Sequence, residues 1–390
     1  MNRVSMVGVG VGALSFALSF VHLKPNRIAS GEGLFAWEVL GGVELLVLVL
    51  PWLMVIVLSA LSHFSPTILP AFLEGCLGNT AIVLVFFFLG KVSARLHPPD
   101  MPYARTSMGP GVWFMIFGGY ILIISSLKRL SGFRIRRLIV TFGGLAFLSA
   151  LVASGHLAEL SMFKEYAARR DKFIRELVNH MLLSGSAVAG AMLIGIPLGI
   201  WAWRKRVLEK PVFFLVNTVQ TIPGLALFGL MIAPLAVLSQ KYPLLREVGI
   251  RGVGPAPALL ALTFYALLPI TRNTYTSLKV IGHSIIESAQ GVGMNRMQIL
   301  FRIEVPLSIP IILGGIRISS VQAVGNTVLA ALIGAGGLGV FVFQGLGQAA
   351  SDLILLGAIP PIILAVVVDK MMQALINAVT PRGISRGHGI

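Results

Sequence analysis

Residues 287–306 read Glu287-Ser288-Ala289-Gln290-Gly291-Val292-Gly293-Met294-Asn295-Arg296-Met297-Gln298-Ile299-Leu300-Phe301-Arg302-Ile303-Glu304-Val305-Pro306. They form a polar, helix-forming island in a chain that is otherwise mostly hydrocarbon. Apolar runs flank it at 256–270 and 305–333. A segment of this kind, kept between two membrane spans, is expected to touch something in the water.

Its local signals predict two short helices. Ser284 followed by Glu287 reads as a capping box, with a first helix running to about Gln290. Gly291 and Gly293 supply backbone freedom for a turn. Asn295 is a good N-cap with Gln298 at the third helical position, and Met294 with Ile299 fits a hydrophobic staple. Met297, Leu300 and Phe301 fall at i, i+3 and i+4 and give the second helix an apolar face. Pro306 is expected to close the element. Local signals leave two readings open: a docking element, or an amphipathic helix lying in the headgroups.

The chain has 390 residues, 56% hydrophobic and 12% charged, with a mean hydropathy of +0.88. Soluble domains carry about a quarter charged residues, so this is an integral membrane protein. A span needs about 20 apolar residues. Ten stretches qualify, at about 4–23, 40–61, 67–90, 110–127, 138–158, 180–203, 212–236, 256–271, 307–333 and 352–372. They lack the two-residue alternation of barrel strands, and lipid admits only helices or closed barrels. The expected fold is therefore an all-α membrane protein of about ten transmembrane helices. The first stretch has no small-residue cleavage site between its apolar run and Lys24, so it is expected to stay as an uncleaved span.

Lys and Arg are more numerous in the loops that face the cytoplasm if both termini lie inside, which sets that orientation. The segment 159–178 opposes the bias, and Glu159, Glu165, Asp171 and Glu176 offset its charge; an interfacial helix would suit it. The formal net charge of +16 suits contact with anionic membrane lipid. Its cations are dispersed at span ends, which argues against nucleic acid as a partner. Cys76, the single cysteine, excludes an intramolecular disulfide and a cysteine-rich metal site.

Several residues are of types that carry chemistry. Asn217–Gly224 places Gln220, Thr221 and the Pro223–Gly224 break inside an apolar stretch, and Asn326 does the same more gently. Broken backbone at membrane depth lines a cavity or is buried in protein, so Gln220, Thr221, Pro223 and Asn326 are candidates for a translocation path. The alternative is close helix packing by small residues. Arg317 either snorkels to headgroups or faces the path. Glu44 and Glu74 are intramembrane carboxylates and so candidates for ion or proton relay. Gly334, Gly336 and Gly339 match G-x-G-x-x-G but follow a long apolar helix without a βαβ unit, so no dinucleotide is expected. No G-x-x-x-x-G-K-[ST] and no H-E-x-x-H occurs. Neither a catalytic residue, a metal nor a cofactor is expected.

The island carries a family resemblance. Glu287-Ser288-Ala289, then Gly293, Ile303 and Pro306, resembles the signature of ABC importer permeases: E-A-A, three residues, G, nine residues, I, one residue, L-P. Ser288 and Val305 are its two mild departures. The stretches 180–200, 220–227 and 333–339 make residues 172–382 similar to permeases of osmoprotectant importers, the glycine betaine, carnitine and choline type. The extra N-terminal spans resemble the long Yeh-type osmoprotectant permeases of enterobacteria.

The resemblance implies a five-helix type I importer core over 180–380, with coupling helices at 284–306. Glu287, Ser288, Ala289, Gly293, Met297, Leu300, Phe301, Ile303 and Pro306 would meet the ATPase. It further implies two cytoplasmic ATPase subunits, a periplasmic substrate-binding protein and a second permease subunit, identical or shorter. Residues 1–160 would hold five spans of unassigned role, 161–179 a charged connector and 381–390 a cytoplasmic tail. The rival readings are an ion-coupled secondary transporter using Glu44 and Glu74, and an ABC permease for another solute such as methionine.

Overall fold

The computed structural model describes residues 3–26, 29–61, 68–96, 103–247 and 249–380, with backbone alone at Leu61 and His283. The expected tail at 381–390 lies outside the described residues. The chain divides into two compact units: residues 1–168 with 348–352, and 169–347 with 353–390.

The first unit contains α1 (Arg3–Leu14), β1 (Val21–Lys24), β2 (Glu32–Leu34), α2 (Ala36–Val39), α3 (Gly42–Leu61), α4 (Leu69–Arg95), β3 (Arg105–Met108), α5 (Pro110–Arg129), α6 (Arg134–Ala153) and α7 (Ser161–Ala168). Helix α4 packs on α3, α5 and α6, and α1 packs on α5. Glycine permits the closest crossings. A Cβ on Gly8 would sit 3.0 Å from the Gly118 carbonyl oxygen, and one on Gly78 would sit 2.8 Å from that of Gly119. Such backbone proximity replaces the hydrophobic drive that lipid cannot supply.

The first expected span is shorter than anticipated. Helix α1 continues only through a 3₁₀ turn to Ala17, and Leu18 is extended. Val21 pairs with Leu34 on one side and Met108 on the other, in an antiparallel sheet of order β2-β1-β3. Average hydropathy over the stretch could not distinguish this strand from the helix before it.

The second unit contains α8 (Arg170–Arg204), α9 (Arg206–Thr221), α10 (Gly224–Lys241), α11 (Pro243–Glu247), α12 (Pro255–Val280), α13 (His283–Gly291), α14 (Arg296–Ile299), α15 (Val305–Thr327), α16 (Gly339–Gly347) and α17 (Ser351–Val379). The charged stretch 161–179 is split between α7 and the first turns of α8.

Among the described residues, eight helices are long and apolar enough to cross a membrane. The expected span 256–271 lies in α12, which is long enough but more polar. Its position explains this: α12 packs on α8, α9, α10 and α15, and Thr263, Thr271, Thr274 and Ser277 are buried on it. A helix surrounded by protein need not be lipophilic all round. Ser319 Oγ donates to the Ala266 carbonyl at 2.8 Å, and a Cβ on Gly315 would stand 2.6 Å from the Pro269 carbonyl. Helices α12 and α15 therefore touch backbone to backbone.

Candidate functional site

The island folds as two short helices joined by a tight turn. Helix α13 begins at His283 with Gly282 as its N-cap, not at a Ser284–Glu287 capping box. Ser284 lies within the first turn, and its carbonyl accepts from Ser288 Oγ at 2.7 Å. The expected pairing fails because the helix starts one residue before Ser284.

The C-terminus of α13 is a Schellman motif. Met294 N–H donates to the Ala289 carbonyl at 3.1 Å and Gly293 N–H to that of Gln290 at 2.9 Å. Gly293 has φ +83°, the left-handed region in which a side chain is strained; Gly291 remains helical. Asn295 then caps α14 as its sequence suggests: its side chain accepts from Gln298 N–H, and Gln298 Oε1 accepts from Asn295 N–H, both at 2.9 Å.

Pro306 does not close the second helix. Residues 300–304 form a π-helical turn in which Val305 N–H reaches the Leu300 carbonyl, and α15 follows directly. Pro306 has no N–H to give to the fourth residue before it, and the widened turn accommodates that loss. The island is thereby joined to α15 by unbroken helix.

The side chains of the island sort by exposure. Ala289 and Ile299 are buried and anchor the two short helices. Glu287, Ser288, Val292, Met297 and Phe301 are exposed; Leu300, Ile303 and Pro306 are half-buried. Val292 is 79% exposed and Met297 and Phe301 61% each, so the turn presents an apolar knob. Beside it lies an open cleft of about 1010 Å³, floored by the ends of α8, α9 and α12. Arg204, Arg206, Lys279 and Arg296 line it, with Glu209 and Glu304.

The expected span 212–236 is broken. Helix α9 stops at Thr221 and α10 restarts at Gly224, with Ile222 and Pro223 extended between them. Tyr265 of α12 holds the break: its hydroxyl donates to the Ile222 carbonyl, while Gln220 Nε2 donates to the Tyr265 carbonyl at 2.6 Å. Gln220 thus fastens the end of α9 to α12. Thr221 and Pro223 are exposed, with Thr221 Oγ1 donating to the Thr218 carbonyl at 2.7 Å. Asn326 is half-buried near the end of α15.

Arg317 is not an isolated cation. It forks onto Asp369 of α17 and also reaches Gln373.

The glycine cluster after α15 is a loop held by α8. Gly334, Gly336 and Gly337 all have positive φ. Glu176 Oε2 accepts from Gly337 N–H at 2.6 Å, and Asn179 Nδ2 donates to the Ala335 carbonyl at 2.8 Å. Buried His180 lies 3.0 Å from the Val324 carbonyl through Nε2 and accepts from Leu338 N–H at Nδ1. Sequence reading missed Glu176, Asn179, His180, Tyr265 and Asp369. The available signals were the cost of an unpaired charge in a span, which required a partner for Arg317, and the row of glycines, whose amides required acceptors.

Residues 2–163 match the family described as ABC transporter permease YehY, N-terminal domain. Residues 191–383 match that described as binding-protein-dependent transport system inner membrane component. The chain is 38% identical over 205 residues to the glycine betaine/carnitine/choline transport system permease protein OpuCB of Bacillus subtilis, covering 53% of this chain and 87% of that one. It is 38% identical over 205 residues to the osmoprotectant import permease protein OsmW of Salmonella typhimurium, covering 53% and 90%. An inward-facing structure of the MetNI methionine ABC transporter aligns at 23% identity and a TM-score of 0.46, over 54% of this chain and 96% of that one.

Proposed function

The chain belongs to the ABC importer permeases of the osmoprotectant type, multi-pass components of the inner membrane, and we propose that it moves an osmoprotectant such as glycine betaine by ATP-driven alternating access. The family works with ATPase and substrate-binding partners. In our reading two cytoplasmic ATPase subunits, a periplasmic binding protein and a second permease subunit complete the importer. Both termini of this chain lie on the cytoplasmic side.

One observation carries the coupling part of this reading. The Glu287–Pro306 island is a doubly capped turn with an exposed apolar knob, continuous with α15 through a π turn. A partner seated on Val292, Met297 and Phe301 would bury that apolar surface. Movement of the partner would then act on α15 without an intervening flexible loop, and through backbone contact on α12. ATP binding shifts the equilibrium only so far as the ATPase grips the turn differently in the two states.

Substrate would pass along the broken α9–α10 segment, where Thr221 and Pro223 are exposed. A quaternary ammonium group is attracted to carbonyl ends of interrupted helices, and the end of α9 supplies them. The test is uptake of labelled glycine betaine into proteoliposomes holding the permease, its ATPase and its binding protein. ATP-dependent accumulation, competed by choline or carnitine, supports the assignment. Accumulation driven by a membrane potential without ATP refutes it.

A further inference from the structure

We propose that the α5–α6 turn of the first unit is a binding site for the headgroup of an anionic phospholipid. The turn sits on a cavity of about 230 Å³ lined by Ile124, Leu127, Lys128, Ser131 and Arg137. Its chemistry is divided. Lys128 and Arg137 are exposed cations at its mouth, Ser131 offers a hydroxyl, and Ile124 and Leu127 form an apolar wall. A phosphodiester between the two cations would place the first carbons of its glycerol and acyl chains against that wall.

Among the described residues the local charge has no internal counterweight. Arg134 and Arg136 add to the patch, with Arg136 stacked 5.5 Å over the Phe133 ring. No acidic residue occurs between residues 101 and 158 of the sequence. The neighbouring Arg129 is committed to buried Glu74. Among the described residues no carboxylate lies within ion-pair distance of Lys128, Arg134, Arg136 or Arg137. Concentrated cations at a span end attract anionic headgroups, and each contributes separately.

Free phosphate shares the charge chemistry but has no use for the apolar wall. Exposure around the site favours the lipid. Helix α6 is the least buried of the eight candidate spans, with 11% of its apolar window covered. Above the arginines, Leu138, Phe142 and Leu145 are exposed on it. The pattern of cations at the helix end and bare hydrocarbon side chains above matches the two halves of a phospholipid.

The test uses the full-length permease in phosphatidylcholine vesicles with spin-labelled phosphatidylglycerol or spin-labelled phosphatidylcholine as the probe. Wild type prefers phosphatidylglycerol at a saturable site. Lys128→Ala or Arg137→Ala lowers that preference about five-fold, and the double variant about thirty-fold. The charge-keeping Lys128→Arg/Arg137→Lys variant retains it, which separates loss of the site from loss of the fold. Millimolar inorganic phosphate does not displace the lipid. Equal affinity of wild type for the two lipids, an unchanged preference in the double variant, displacement by phosphate, or loss of preference in the charge-keeping variant overturns the proposal.

Discussion

Arg317 on α15 forks onto Asp369 on α17, with Nε 2.6 Å from Oδ1 and Nη2 3.0 Å from Oδ2. Two charges that would each be costly in a span answer one another, and the planar guanidinium matches the carboxylate in both direction and spacing. The pair ties the helix leaving the coupling turn to the last helix of the unit. Removing one partner strands the other. We expect Arg317→Ala and Asp369→Ala each to lower the melting temperature of the detergent-solubilised protein. Arg317→Lys is only a partial rescue because an ammonium cannot fork. Thermal unfolding of the three variants checks the order.

Gly293 occupies a left-handed position that closes the Schellman motif. Gly293→Ala is expected to cost about 1–2 kcal/mol of local stability, while Gly293→Asn costs less because Asn tolerates that conformation. Gly293→Pro also deletes the N–H bonded to Gln290. On the coupling account Gly293→Pro and Glu287→Lys abolish ATP-driven uptake at normal membrane levels, and Gly293→Asn keeps most of it. Uptake normalised to the amount of permease in the membrane distinguishes these outcomes.

Neither intramembrane carboxylate of the first unit stands alone. Glu44, in the first turn of α3, meets Lys91 at 2.5 Å and Arg95 at 2.8 Å. Glu74 is buried against Arg129 and accepts from Ser5 Oγ at 2.6 Å. Both carboxylates are already engaged by cations within the first unit. Glu74→Gln is therefore expected to reduce stability, on the order of 3 kcal/mol for a broken buried pair, without altering the driving force of transport. Uptake that loses its dependence on pH or sodium in Glu44→Gln or Glu74→Gln would instead mark an ion-coupled carrier.

The loop after α15 makes a sharper packing prediction. A Cβ on Gly336 would fall 2.4 Å from Asn179 Nδ2 and 2.8 Å from Glu176 Oε2, at φ +78°. Gly336→Ala thus pays both left-handed strain and displacement of the two side chains that fasten the loop. It is expected to destabilise more than Gly334→Ala, which has positive φ but open space around it. Hydrogen exchange at Gly337 and Leu338 measures the difference: Glu176→Ala and Gly336→Ala accelerate it, and Gly334→Ala does so less.

The fold class was legible because spans advertise themselves by composition. The second coupling helix was legible because Asn295 and Gln298 speak through local bonds. Where the reading failed, the missing information was tertiary or lay in a one-residue shift. Ser284 has no capping role because α13 starts at His283, with Gly282 as its N-cap. Pro306 reads locally as a terminator, whereas a π turn upstream absorbs its missing donor. Residues 21–24 enter a sheet whose partners lie up to 87 positions away, Val21 against Met108. Gln220 and Arg317 turned out to be bonded to Tyr265 and to Asp369, partners that no local pattern around them names.

The central claim is that the exposed turn at Val292 seats on an ATPase. It is tested most directly by Val292→Cys in a Cys76→Ser background, followed by cross-linking in membranes that hold the whole importer. The account predicts a cross-link to the ATPase subunit whose yield changes with bound nucleotide, and no labelling of Cys at 292 by an impermeant thiol reagent added from outside. Labelling from outside, or an absence of any ATPase adduct in an actively transporting sample, would contradict it.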